Sequence, residues 1–389
     1  DEANIVGGEE GSDVINGGGG NDVIYGDYVW GVSEENDESI NTAVFSGTSA
    51  DYAVSRASDT DFGYVYYIQD ERDGSPDGLD TLYDIDLLRF SDGDANITSL
   101  YDSNKAGGNA AESITGTEGD DLIDGFGGDD TITGLGGDDI IIGGEGNDVI
   151  DGGSGTNRLY GDAGDDTITS SGTGDVIDAG EGDNTFNLIN GFYGGSLSSG
   201  SGNDIYNIQD NSRSDWDRQL IIETGDGEDI INIDSSNLHS SNFELEDGND
   251  IVNANAGLGY AHLEGRGGDD VFNILGGSNG NSSIYLIGGL GNDQFILGGD
   301  FKGSETYSRV VIYGGEGDDT IDLSKATALG KVDDQVKINA GRGNDYIIGN
   351  DEANIVGGEE GSDVINGGGG NDVIYGDYVW GVSEENDES

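Results

Sequence analysis

The chain has 389 residues, with 80 acidic side chains against 14 basic ones and a formal net charge of -66; no nucleic-acid partner is expected, because phosphate contacts need a basic surface. Hydrophobic residues make up 33%, glycine occupies 74 positions and proline one, so a deep conventional core is excluded and a compact fold needs cations to offset its own repulsion, the alternative being disorder. Cysteine and methionine are absent, which excludes disulfide and thiol chemistry and reads as an internal piece without its initiator.

Residues 1–27 carry glycine-rich nonapeptides, one of them Gly17-Gly18-Gly19-Gly20-Asn21-Asp22-Val23-Ile24-Tyr25, with motif aspartates Asp13 and Asp22. Residues 28–106 carry none. They hold alternating apolar runs such as Ala43-Val44-Phe45 and Gly63-Tyr64-Val65-Tyr66-Tyr67-Ile68, and read as a small inserted β module packed on or beside the coils.

Residues 107–187 repeat every nine residues, through Gly107, Gly116, Gly125, Gly134, Gly143, Gly152 and Gly161. Gly143-Gly144-Glu145-Gly146-Asn147-Asp148-Val149-Ile150-Asp151 shows the pattern G-G-x-G-x-D-x-U-x, with U apolar. Its sixth-position acids are Asp121, Asp130, Asp139, Asp148, Asp166 and Asp175, with Glu112, Asn157 and Asn184 as departures.

Over residues 188–348 the motif aspartate recurs at Asp204, Asp229, Asp250, Asp270, Asp293, Asp319 and Asp345, in steps of 20 to 26 residues. Two nonapeptides make one coil of turn, strand, turn, strand. The longer steps then read as wider coils that keep one glycine-aspartate turn and replace the other with an irregular loop. One edge would carry Asp130, Asp148, Asp166, Asp204 through Asp345, and Asp363. The opposite edge would carry Asp121, Asp139 and Asp175. Roughly thirteen coils, at about 4.8 Å each, would span about 60 to 70 Å.

Residues 349–389 restore the short spacing with Asp363 and Asp372, and Asn354 is a further departure. Residues 351–389 repeat residues 1–39 letter for letter, at an offset of 350. They read as the start of the next identical unit of a native tandem array, or as a duplication introduced at a boundary. No signal peptide and no apolar run long enough to span a membrane stands out.

The nonapeptide is the pattern of calcium-binding parallel β-helices, and on it the chain resembles the RTX (repeats-in-toxin) family. The resemblance implies an all-β parallel roll with calcium stacked between successive turns on each edge. Each ion would take backbone carbonyls and a sixth-position carboxylate from two coils, so Asp130 and Asp148 would share one, as would Asp121 and Asp139. The residue chemistry agrees. Glycine permits left-handed turns that aim carbonyls inward, and calcium takes six to eight oxygens where magnesium demands a tighter shell. An amide at Asn157, Asn184 or Asn354 carries no charge, so ions there should be weaker or absent.

The eighth position, Ile123, Ile132, Ile141, Ile150, Leu159, Ile168 and Ile177, should form a thin inward ladder, with Phe186, Phe272 and Phe295 in the wider coils. So narrow a core makes metal binding part of folding, and without calcium a disordered polyanion is expected.

Arg213, Arg218, Lys302, Arg309, Lys325 and Lys331, with Phe192, Tyr193 and Trp216, fall in the irregular loops. They form either a face that docks on an acidic edge of a neighbouring unit or loops that have drifted. Tyr64, Tyr66 and Tyr67 belong to the module core, or stack on a glycan. His239 and His262 are isolated, and no nucleophile elbow, zinc motif or phosphate loop occurs, so no catalytic residue is assigned and no enzyme is expected. A threonine and asparagine ladder for ice is lacking at position five, which reads Asp120, Asp129, Asp138, Asn147, Thr156 and Asp165. The expected role is a calcium-rigidified structural repeat outside a bacterial cell, in an adhesin stalk, surface layer or filament. The resemblance implies type I export, with the chain unfolded in low cytosolic calcium. The alternative is a glycan- or partner-binding module.

Overall fold

The structure is a computed structural model that describes residues 3–8, 12–26, 28–29, 32–33, 40–59, 63–70, 72, 76–83, 85, 87–96, 110–189, 195–209, 219–234, 241–277, 283–301, 309–327 and 336–376. It is all-β. Two parallel sheets of 13 strands each face one another. One runs from Ser113–Thr115 through Thr131–Thr133 and Val149–Asp151 to Val364–Asn366; the other runs from Leu122–Asp124 through Ile140–Glu145 to Val373–Tyr375. Successive strands of the chain alternate between the sheets, so each pair of strands with its two turns is one coil of a parallel solenoid. Among the described residues no helix is long and apolar enough to cross a membrane.

Register follows the sequence period. In the regular coils residue i pairs with i+18, as in Ile132↔Ile150 and Ile150↔Ile168. Side chains alternate across a strand, and each regular strand contributes one aliphatic side chain to an inward ladder: Ile132, Ile141, Ile150, Leu159 and Ile168 are fully buried and stack on one another. From Thr185–Leu188 through Val271–Ile274 the strands of the first sheet are four residues long and bury two apolar side chains each: Phe186 with Leu188, Tyr206 with Ile208, Phe272 with Ile274. Identical register stacks the rings, with Phe186 and Tyr206 at 4.3 Å and Phe272 and Phe295 at 5.0 Å between centroids. On the outer face of these strands Asn187, Asn207, Asn232, Asn253 and Asn273 form an amide ladder, each side chain donating to the previous one at 2.9–3.2 Å.

The described residues among the first 96 form a second, shorter roll. Ile5–Gly7, Val23–Tyr25 and Leu79–Tyr83 run parallel in one sheet, extended by the antiparallel hairpin Tyr52–Asp59 and Gly63–Asp70. Val14–Ile15, Thr42–Val44 and Leu87–Phe90 run parallel in the other, closed by antiparallel Gly93–Asn96. The nonapeptides of residues 1–27 and the segment that follows therefore share both sheets. The hairpin lies across the flank of the long stack. Ala57, Val65 and Tyr67 pack on Ile140 and Ile142, whose side chains point out of the solenoid yet are covered. The Tyr67 and Tyr160 hydroxyls lie 2.5 Å apart, and Arg158 donates to Thr81 Oγ1 at 3.3 Å. Tyr67 is thus core and offers no face to a sugar.

Candidate metal centre

The turns between strands place the oxygens. In the regular block the second position of the turn adopts a left-handed backbone even where it is not glycine, at Phe126 (φ 64), Leu135 (φ 80) and Asp162 (φ 69), at a cost of roughly 1–2 kcal/mol each. The fourth position leaves no room for a side chain: Gly155 (φ 133) presses against the Gly137 carbonyl of the preceding coil.

The sixth-position side chains are laced together. The amide of Asp130 donates to Asp148 Oδ1 at 2.7 Å, that of Asp148 to Asp166 Oδ1 at 2.8 Å, and that of Asp166 to Asn184 Oδ1 at 2.9 Å. The ladder continues unbroken through Asp204, Asp229, Asp250, Asp270, Asp293, Asp319, Asp345 and Asp363 at 2.6–3.1 Å. It begins with the amide of Glu112, which donates to Asp130 Oδ1 at 2.7 Å. The opposite edge carries a short ladder, Asp121 to Asp139 to Asn157 to Asp175, at 2.7–3.0 Å. Asp372 accepts from Asn354 at 3.0 Å, and in the first roll Asp22 accepts from Asn4 at 2.8 Å. Asp13, Asp121, Asp363 and Asp372 are half-buried, while the other motif aspartates are fully enclosed.

The ladder uses only Oδ1. The second oxygen, Oδ2, of Asp22, Asp130, Asp139, Asp148, Asp166, Asp204, Asp229, Asp250, Asp270, Asp293, Asp319 and Asp345 is buried with no hydrogen-bond partner. A buried carboxylate oxygen left this way is costly. At Asp130, Asp139, Asp148, Asp166, Asp270, Asp293 and Asp319 this oxygen and a backbone carbonyl of the next coil crowd the same point. A methyl group placed on Gly125 would stand 2.6 Å from both Asp130 Oδ2 and the Gly143 carbonyl oxygen of the next coil, and Gly116 is enclosed in the same way by Asp121 Oδ2 and the Gly134 carbonyl, both at 2.7 Å. Gly265, Gly288 and Gly314 repeat this arrangement with Asp270, Asp293 and Asp319. Burial pushes these carboxylates up from the ordinary 3.8, to about 6 at Asp139, Asp148, Asp204, Asp293 and Asp345, about 7 at Asp166, Asp229 and Asp270, and about 8 at Asp250 and Asp319. Asp130 and Asp175 are raised for the same reason.

The asparagine departures show what the aspartate turns lack. Asn354 Nδ2 donates at 3.2 Å to the Gly367 carbonyl, the next-coil carbonyl that faces Oδ2 in an aspartate turn, and Asn4 donates at 3.3 Å to its counterpart on Gly17. Asn184 Nδ2 donates to Gly180 and Gly182 carbonyls of its own turn at 3.3 and 3.0 Å. An amide fills the turn with a donor, whereas an aspartate opposes one acceptor to another. A cation satisfies both, as does a proton on the carboxyl at low pH, and a set of carbonyls with a carboxylate is the hard-oxygen set calcium takes. Among the described residues no three carboxylates or imidazoles converge on one point, so backbone must supply most of any coordination shell. Asp175 and Asp121 are exceptions: Ser170 donates its hydroxyl to Asp175 Oδ2, and Thr117 donates its backbone amide at 2.6 Å and its hydroxyl at 3.0 Å to Asp121 Oδ2.

Two features escape the motif. Asp80, inside the inserted segment, occupies the sixth-position place of a coil. It accepts from the Asp22 amide at 2.7 Å, is buried, and is pushed up to about 8 by that burial. Its signal is Gly78-Leu79-Asp80-Thr81-Leu82-Tyr83, which keeps the second half of the nonapeptide without the first. Asn41 is its counterpart on the other edge, accepting from Asp13 at 3.0 Å. A second ladder also runs along position five, where Asp120, Asp129, Asp138, Asn147 and Asp165 each accept the next coil's amide at 2.8–3.0 Å.

The basic residues proposed as a docking face, Arg213, Arg218, Lys302 and Lys331, lie outside the described residues, as do Phe192, Tyr193, Trp216, His239 and the side chains of Arg309 and Tyr64; Lys325 is exposed. His262 sits 3.6 Å from Glu264 on the outer surface.

In comparison with known proteins, the family pattern described as the RTX calcium-binding nonapeptide repeat (4 copies) matches residues 1–27, 106–141, 133–168, 162–188, 309–325, 337–365 and 348–377. No curated protein matches the chain.

Proposed function

Because the chain is built on RTX calcium-binding nonapeptide repeats, we propose that it is a calcium-dependent structural repeat of a secreted or cell-surface protein, folded outside the cell by the ions it collects. Calcium-binding is the property of the repeats themselves. The site residues, the array and the setting in a stalk, surface layer or filament are our reading. Residues 1–39 and 351–389 are then the starts of consecutive 350-residue units.

The observation that carries it is the row of orphaned Oδ2 atoms, of which those of Asp130, Asp139, Asp148, Asp166, Asp270, Asp293 and Asp319 lie beside a backbone carbonyl of the next coil. Asp130, Asp148, Asp166, Asp204, Asp229, Asp250, Asp270, Asp293, Asp319, Asp345 and Asp363 would hold ions along one edge, with Asp121, Asp139 and Asp175 on the other, and Asp13, Asp22 and Asp372 in the copied coils. When bound, calcium supplies the positive charge that lets these carboxylates stay ionised in the interior. The protein's part is to fix one carboxylate oxygen through the amide of the preceding coil and aim the other at the next coil's carbonyl. Metal-binding free energy thereby becomes folding free energy. In low calcium the carboxylates must be protonated or solvated, which keeps the chain unfolded until export.

Circular dichroism during a calcium titration of the chelator-treated chain tests this: β structure should appear only as calcium is added, and a chain that holds its β signal in chelator at pH 8 contradicts the proposal.

A further inference from the structure

The chain contains one coil twice, in two settings, and the difference assigns a partner to its open edge. Residues 1–39 and 351–389 are identical, and the coil described in both copies pairs alike. Ile5 pairs with Val23 and Val6 with Ile24, as Ile355 pairs with Val373 and Val356 with Ile374. Asn4 Nδ2 reaches Asp22 Oδ1 at 3.0 Å, and Asn354 Nδ2 reaches Asp372 Oδ1 at 3.1 Å.

What differs is the covering. In the second copy the leading side is closed by the long stack, where Ile338 pairs with Val356 and Ile347 with Ile365, and Val356 is fully buried. In the first copy that side is bare, with Ile5 78% exposed. The trailing side is the converse. In the first copy Val23–Tyr25 pairs with Leu79–Tyr83 and Val14–Ile15 with Thr42–Val44; Tyr25 stacks on Tyr83 at 4.8 Å between centroids, and Ile24 is 1% exposed. In the second copy Val373, Ile374 and Tyr375 are 39%, 48% and 37% exposed. The same isoleucine is core at 24 and surface at 374.

We propose that the edge formed by Val364–Asn366 and Val373–Tyr375 is the docking surface for a second module of the sequence of residues 40–96, carried by the next unit, in the register seen at residues 14–25. That a next unit exists rests on the array reading; the docking rests on two settings of one sequence. Val373, Ile374 and Tyr375 would then pair with the next unit's counterparts of Thr81, Leu82 and Tyr83, and Asp372 would donate its amide to the counterpart of Asp80. The module becomes a coupling. It closes the stack of one unit and, through Tyr67 on Ile140 and Ile142, is bolted to the flank of its own. Units would join through continuous sheet, with no free hinge at the coil itself.

The chain has no cysteine, so single thiols report this cleanly. In calcium, Ile24→Cys should resist maleimide and Ile374→Cys should react at least about 100-fold faster. In a chain extended after residue 389 by a second copy of residues 40–96, Ile374→Cys should slow to the rate of Ile24→Cys. An aspartate at the added counterpart of Leu82 should restore the fast rate. Unchanged fast labelling in the extended chain overturns the inference. Small-angle scattering of the unsubstituted extended chain reads the docking without a mutation: one continuous body supports it, and two bodies on a tether overturn it. A gene in which no such module follows residue 389 would sink the array reading and leave these results standing.

Discussion

The regular coils of residues 113–178 and the wide coils of 185–348 solve one problem in two ways. The regular coils place glycine-aspartate turns on both edges and bury one aliphatic side chain per short strand, as at Ile132 and Ile150. The wide coils keep the laced aspartate edge from Asp204 to Asp345 and, in the first sheet, bury a second side chain per strand, such as Ile208 or Ile274. Each added aliphatic side chain contributes roughly 1.5–3 kcal/mol. Where the second row of aspartate turns lapses, the core thickens. If those turns hold calcium, as proposed, apolar burial takes over part of the support that ions give the regular coils.

Chelation tests that comparison with the largest effect. As free calcium falls, amide hydrogen exchange should rise first in residues 113–178 and at lower calcium in 220–348, because the wide coils have a core of their own. Simultaneous loss of protection in both would break the comparison.

Core truncation should show the opposite ranking. In saturating calcium, Ile274→Val and Ile150→Val should each cost about 0.5–1.5 kcal/mol, with Ile274→Val the costlier, read from denaturant midpoints. Equal costs would mean that the wide coils lean on their ions as heavily as the regular ones do.

Acid offers a way to hold the fold without metal. The folded calcium-free chain keeps Asp250 and Asp319 protonated up to about pH 8 and Asp166, Asp229 and Asp270 up to about pH 7, because burial disfavours their charge. The unfolded chain releases those protons near the ordinary 3.8. The folded form therefore binds more protons, and its stability in chelator rises as pH falls and is lost as pH climbs through about 6 to 8. Scattering in chelator should show a compact chain near pH 5 and an expanded one near pH 8. With calcium present the dependence reverses, since protons compete for the same oxygens.

The smallest effect is the most specific. Asp250→Asn should lose about one bound calcium yet survive chelation better than the parent, because its amide can donate to turn carbonyls as Asn184 does. Asp250→Ala should lose the ion without that benefit and leave the Asp229 amide without its acceptor. Calorimetric stoichiometry that is unchanged in Asp250→Asn removes Asp250 from the site.

The all-β solenoid, its two edges and the inward ladder were legible because the nonapeptide writes each of them once per nine residues. Ile132, Ile150 and Ile168 needed only the period. Asp80 and Asn41 were not legible as members of coils, since insertions separate them from Asp22 and Asp13 and only half a motif remains. The second inward row, Leu188, Ile208 and Ile274, was hidden because the motif names one apolar position and the wide strands carry two. Nor does the copied segment reveal in sequence that Ile24 and Ile374 have opposite surroundings; that depends on what stacks beside each.

The central claim is that cations lie between the orphaned Oδ2 atoms of the laced aspartates and backbone carbonyls of the following coil. Anomalous diffraction from a calcium-grown crystal tests it most directly. Peaks are expected within about 2.3–2.6 Å of those oxygens along the edge from Asp204 to Asp345, with a weaker peak or none at the Asn184 turn. Empty density along that edge, in a chain that is nonetheless folded, would contradict it.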